Sequence, residues 1–191
     1  METGKLEDSE RAYQKVVEMA PQHYEARRAL SNILHKLGRA DEALNTLTQD
    51  EKAELLDPTL LYERCQLLLS EGRTEDFVKK AKLLLSRHFV ELRSHDEVLA
   101  LCSSRKYSHK RISELRRVTE MESAAVGSAS ASEVAFESES SITAQDEYQL
   151  MRKLCDTLYN QKRFAELQRV TFSSLGSKMF NKDPEIMKVS T

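Results

Sequence analysis

Residues 24–47 read YEARRALSNILHKLGRADEALNTL, and their centre is the turn Leu37-Gly38-Arg39 followed by Asp41-Glu42-Ala43. The wording returns 34 residues later as Glu71-Gly72-Arg73 followed by Glu75-Asp76-Phe77. Each copy holds two apolar patterns of helical period on either side of the turn. Seven residues before Gly38 stands Ser31, and seven before Gly72 stands Cys65. Both are small, as a close helix crossing requires. Ala43, five residues after Gly38, is the small residue of the second helix.

A weaker third copy reads Asn160-Gln161-Lys162-Arg163, then Ala165-Glu166-Leu167, with Cys155 seven residues before Lys162. A 34-residue period of helix, turn and helix is that of the tetratricopeptide repeat. The fold predicted is all-α: a tetratricopeptide-type α-solenoid of stacked antiparallel helix pairs, interrupted by a disordered acidic insertion. Ser31, Gly38, Arg39, Ala43, Cys65, Gly72, Arg73 and Cys155 are its repeat-defining structural residues.

Composition limits the function classes. Charged residues make up 31% and the net charge is −2, so the surface is of mixed sign with no overall pull toward nucleic acid or anionic lipid. No run of 18 apolar residues occurs, which gives no transmembrane span. The start, METGKLEDSERAY, has no apolar core of a secretory signal. Cys65, Cys102 and Cys155 form no CxxC and read as reduced thiols of the cytosol or nucleus. Three Pro, five Gly and no Trp give strands and hairpins little support.

The organisation expected is repeats over 1–121, an acidic Ser-rich linker over 122–143, and a further helix pair with the start of another over 144–191. Tyr13, Val16, Val17 and Ala20, followed by Pro21, read as the closing helix of a unit. In the next unit Ala26, Leu30, Ile33, Leu34 and Leu37 line the first helix, and Asp41 is the expected cap of the second. Asp57-Pro58 opens a helix lined by Leu60, Leu61, Cys65, Leu68 and Leu69. Thr74 to His88 is its partner, with Phe77, Val78, Ala81, Leu84 and Leu85 inward. Over 89–121 the spacing slips. Val98, Leu99, Leu101 and Cys102 make one face, Ile112, Leu115 and Val118 another, and Ser103-Ser104 a turn. Residues 122–141, ESAAVGSASASEVAFESESS, bury too little to offset the entropy of ordering and read as disordered. Thr143 then caps a helix bearing Tyr148, Met151, Leu154, Cys155 and Leu158, whose partner carries Phe164, Leu167, Val170 and Leu175. Asp183-Pro184 starts a last helix. Both ends read as cut from a longer solenoid.

Catalytic and metal chemistry find no footing in the sequence. His23, His35, His88, His95 and His109 lack HxH, HxxxH and HExxH spacing, so solvated histidines are the expectation. No GxGxxG, Walker loop or GxSxG occurs. The chain is read as no enzyme, with no cofactor, metal or small-molecule substrate. Cys65 and Cys155 read as core packing. Arg105, Lys106, Lys110, Arg111, Arg116 and Arg117, with Tyr107 and His109, form a basic stretch at 105–117. It is either a nucleic-acid or partner contact through Arg105, Lys106, Lys110 and Arg111, or a solvated helix face beside the acidic linker. The solvated face is the favoured reading. Linker serines among acids, at Ser130, Ser132, Ser138 and Ser140, are sites open to phosphorylation. A chaperone-type clamp for a C-terminal carboxylate is incomplete: Arg28 and Asn32 fit the first repeat, but the next offers Tyr62 and Gln66.

The run YQKVVEMAPQHYEARRALSNILHKLGRADEALNTL, continuing into LLYERCQLLLSEGRTEDFVKKAKLLL, resembles the tetratricopeptide subunits of general transcription factor IIIC over nearly the whole chain. The resemblance implies a nuclear scaffold in the promoter-binding complex of RNA polymerase III genes. It implies partners among the other subunits of that factor and the TFIIB-related subunit of transcription factor IIIB. Contact with DNA is then mainly indirect, through the complex, and no catalytic residue is carried over. The remaining alternatives are a chaperone-type adaptor and a DNA-contacting module at 105–117.

Overall fold

The computed structural model describes residues 2–50, 55–89, 95–103, 114–115, 135–137, 140–175, 177 and 179–180. The helices are α1 (Glu2–Met19), α2 (Tyr24–Lys36), α3 (Ala40–Thr46), α4 (Pro58–Ser70), α5 (Thr74–Leu85), α6 (His95–Ser103), α7 (Ala144–Asn160) and α8 (Phe164–Leu175). A 3-10 turn, Ser86–His88, follows α5. The chain forms two compact units, Met1–Leu84 with Val134–Thr143, and Leu85–Glu133 with Ala144–Thr191.

In the first unit α2 packs against α1 and α3, and α4 lies on both α2 and α3. The core runs through Ala26, Leu30 and Leu34 of α2, Ala43 and Leu44 of α3, Leu60, Leu61, Cys65 and Leu68 of α4, and Phe77, Val78 and Ala81 of α5. Ser31 is buried, and its hydroxyl donates to the Ala43 carbonyl at 3.0 Å. A larger side chain at either position would hold α2 and α3 apart. Asp57 caps α4 through its carboxylate, which accepts from the Thr59 N–H at 2.7 Å and the Leu60 N–H at 3.4 Å, with Pro58 in the first turn.

The corners repeat. Gly38 and Gly72 have φ of 76° and 68°. At the first, Gly38 N–H donates to His35 C=O and Arg39 N–H to Leu34 C=O; at the second, Gly72 pairs with Leu69 and Arg73 with Leu68. These bonds satisfy carbonyls that the helix end leaves open. Each corner arginine then binds the first turn of the helix it starts. Arg39 donates to Glu42 at 2.6 Å and to Glu10 of α1 at 2.7 Å. Arg73 lies 3.7 Å from Asp76 and donates to Asp41 of α3 at 2.6 Å. Both arginines therefore tie a repeat to the helix before it.

In the second unit α7 packs on α8, and Leu150, Met151, Leu154 and Leu158 are fully buried. The α7–α8 corner has the same bonds, Lys162 N–H to Tyr159 C=O and Arg163 N–H to Leu158 C=O. Here a lysine takes the left-handed conformation, with φ of 57°. Arg163 binds Glu166 at 2.6 Å, as its counterparts bind their own helices.

Several expectations need correction. Asp41 does not cap α3: Arg39 holds the cap position without a side-chain bond, and Asp41 sits within the first turn, where Arg73 takes it. Phe164 is 55% exposed, an edge-on neighbour of Tyr159 and not a core residue. Tyr13 and Val16 of α1 each remain 39% exposed. Helix α6 buries Glu97 and Ala100 and leaves Leu99, read as part of an apolar face, exposed; the side chains of Val98, Leu101 and Cys102 lie outside the described residues. At the end of the expected acidic linker, residues 135–137 and 140–143 belong to the first compact unit. Leu56 N–H donates to the Ala135 carbonyl, Glu137 N–H to the Leu56 carbonyl, and Ser141 N–H to the Thr59 hydroxyl. Residues 122–134, the basic positions Arg105, Lys106, Lys110 and Arg111, and the helix expected from Asp183 lie outside the described residues.

Candidate protein-docking groove

Helices α2 and α4, one repeat apart, present parallel rows. Arg28, Asn32 and His35 come from α2, and Glu63, Gln66 and Ser70 from α4. Ser31, Leu47 and Leu67 line the space between them, which is an open cleft of about 250 Å³. That volume accommodates one or two side chains of a peptide and is too small for a drug-sized cofactor. The 3.6-residue period sets the rows: Arg28, Asn32 and His35 fall on one stripe of α2, and the core residues Ala26, Leu30 and Leu34 on another.

Charge in the groove is already paired. Arg28 Nε donates to Glu63 at 2.9 Å, and His35 Nε2 lies 3.0 Å from Glu71. The guanidinium that a carboxylate clamp would need is thus held by an acid of the next repeat. Behind the groove Arg27 donates to the Thr46 and Thr48 carbonyls at 2.9 and 2.5 Å, closing the end of α3. Desolvation lowers the Arg27 pKa, and the Asp57 carboxylate offsets part of that shift.

Cys65 and Cys155 are inert packing. Burial pushes the Cys65 thiol up to about 12, and burial together with Asp156 does the same for Cys155. A thiol held protonated at neutral pH is neither nucleophile nor metal ligand. Among the described residues no group of three His, Cys, Asp or Glu side chains is arranged to hold a metal ion.

Of the residues singled out in the sequence, Ser31 floors the groove, and Gly38, Arg39, Ala43, Gly72 and Arg73 build the corners and crossings beneath it. Cys155 belongs to the other unit. Two histidine roles went unread. The His23 ring accepts from the Ala26 N–H at 3.2 Å and caps α2. His88 Nε2 lies 2.8 Å from Glu147, a carboxylate only 4% exposed, which also accepts from Arg87 Nε at 2.7 Å. The ring stands edge-on to the buried Phe180. The only local signal was an acid at the start of a helix, which the macrodipole alone explains.

Residues 1–62 match the family model for the tetratricopeptide repeat. That match covers α1 to α3 and reaches the first turn of α4. The groove lies between α2, which is within the matched residues, and α4, which they only enter. Over 203 aligned residues, 97% of the chain, it is 28% identical to General transcription factor 3C polypeptide 3 of Homo sapiens. The chain spans 22% of that protein's length. No helix among the described residues is long and apolar enough to cross a membrane.

Proposed function

We propose that the chain is a non-catalytic protein-interaction scaffold and that the α2–α4 groove is a docking surface for an extended segment of a partner. The observation that carries this reading is the pairing of polar rows from two tetratricopeptide helices across an open, peptide-wide cleft. Similarity to a transcription factor 3C subunit supports a nuclear setting, within a complex of the RNA polymerase III transcription factor IIIC type. The partners proposed are other subunits of that factor and the TFIIB-related subunit of transcription factor IIIB, with promoter DNA reached through the complex.

The test is affinity purification from nuclear extract with the wild-type chain and with Asn32→Ala/Gln66→Ala. Both side chains line the groove without being among its buried residues. Subunits of the polymerase III machinery should co-elute with the wild type and be depleted with the double variant at an unchanged melting temperature. Equal recovery by both chains refutes the groove assignment, and recovery of no such subunit by either refutes the complex.

A further inference from the structure

The connector from α3 to α4 is paired along its backbone in a way that a helical array does not require. Leu56 N–H donates to the Ala135 carbonyl at 3.0 Å, and Glu137 N–H donates to the Leu56 carbonyl at 2.9 Å. Together they make a parallel β-bridge between Leu56 and Phe136. One residue on, the Gln49 side chain imitates a strand: its Oε1 accepts from Asp57 N–H and its Nε2 donates to the Asp57 carbonyl, both at 2.8 Å. Beyond that, Ser141 N–H donates to Thr59 Oγ1 at 3.3 Å. The Gln49 contact is local to the connector. The bonds to Ala135, Glu137 and Ser141 come from a stretch about 80 residues away in sequence.

We infer that residues 135–137 and 140–141 are a releasable latch, and that the Leu56 edge beneath it receives an extended segment of a partner protein when the latch is off. The receiving side is built in. Leu56 is fully buried and Thr59 is 3% exposed, while Leu55 beside them is 50% exposed. The occupying side is weakly held. Ala135, Glu137, Ser140 and Ser141 are exposed, and Phe136 is half-buried. A segment whose side chains stand largely in solvent sits toward the low-stability end of local opening. The bonds at Leu56 are main-chain to main-chain, so they select an extended backbone and leave side chains to set preference. Ala135-Phe136-Glu137 shows the preference: a small residue, a large apolar one over the connector, then an acid. The edge is separate from the α2–α4 groove, and its test does not depend on that assignment.

Hydrogen exchange on the wild-type full chain gives the first readout. The Leu56 amide should exchange faster than the α4-interior amide of Cys65. Equal protection would mean that the latch opens only with global unfolding, and the proposal fails. Glu137→Pro gives the second, because proline fits an extended backbone yet lacks the donor to Leu56; Glu137→Ala keeps that donor. A labelled peptide of sequence VAFESESSIT, residues 134–143, is then titrated onto each chain. The peptide should bind the Pro variant about tenfold tighter than the wild type or the Ala variant, the order of effect of one lost backbone bond. Equal binding to all three chains, or to none, overturns the proposal.

Discussion

At Gly38 and Gly72 the backbone turns through left-handed φ, and nothing lies within 4 Å of where a Cβ would stand. The glycine requirement is conformational, not spatial. Gly38→Ala should therefore cost about 1 kcal/mol, read as a lowered denaturation midpoint. Lys162 pays that same penalty in the native chain, with φ of 57°. Lys162→Gly should raise stability by about 1 kcal/mol, and an unchanged midpoint would show that its environment already compensates. Cys65 supplies a pH prediction. Its folded pKa, pushed up to about 12 by burial, lies above the ordinary thiol value of 9.0. The folded state holds the proton more tightly, so this contribution is complete below pH 9 and is lost as pH rises toward 12. Cys65→Ala should flatten that part of the alkaline decline in a pH series of denaturant melts. The turn glycines were the most legible residues of the chain, because few side chains tolerate that φ. His23 and His88 were the least, because what each does is set by a neighbour that sequence does not place beside it.

Helices were readable where apolar period and caps agreed. Asp57-Pro58 starts α4 as its wording suggests, and the inward set of α5, Phe77, Val78, Ala81, Leu84 and Leu85, is buried throughout. Asp41 shows where such reading stops. An acid near a helix start is a cap or a first-turn charge, and here Arg73 of the following corner takes it. Phe164 shows another limit, since helical spacing marks a face without saying that a neighbour covers it. The α2–α3 crossing is the tightest element contact on which a test turns. Ala43 is 0% exposed, and its carbonyl accepts from the buried Ser31. Ala43→Leu should overpack that crossing and cost roughly 1–3 kcal/mol in a thermal or urea melt. Arg73→Ala removes a partly exposed pair with Asp41 and should cost less than about 1 kcal/mol, most of it screened by salt.

Across the molecule, the next such corner among the described residues is at Lys162, 90 residues after Gly72 instead of 34. The extra length follows the 3-10 turn that ends at His88 and precedes α7. The groove was legible only in outline: the period located its two helices, but the Arg28–Glu63 pair across it depends on how the repeats stack. The latch was not legible, because the composition of 122–143 argues for solvation, while the bonds to the Leu56 backbone and the Thr59 hydroxyl depend on a neighbour about 80 residues away in sequence. In the second unit the buried Glu147 carboxylate is shared by Arg87 and His88. Glu147→Ala leaves the Arg87 guanidinium and the His88 ring without their shared acceptor and should cost about 3 kcal/mol or more, seen as early melting of that unit.

That shared carboxylate also joins the two banks of a detour, since Arg87 and His88 lead into residues 89–143 and Glu147 follows them. With the banks fastened, added chain between them costs little: doubling the length of a closed loop adds only about 0.6 kcal/mol of closure entropy. A small reporter domain spliced after Ser128, within the stretch whose composition reads as a linker, should leave the melting temperature nearly where it was, whereas the same graft at Gly38 should abolish folding. The place to tag this scaffold is therefore the detour and not the corners.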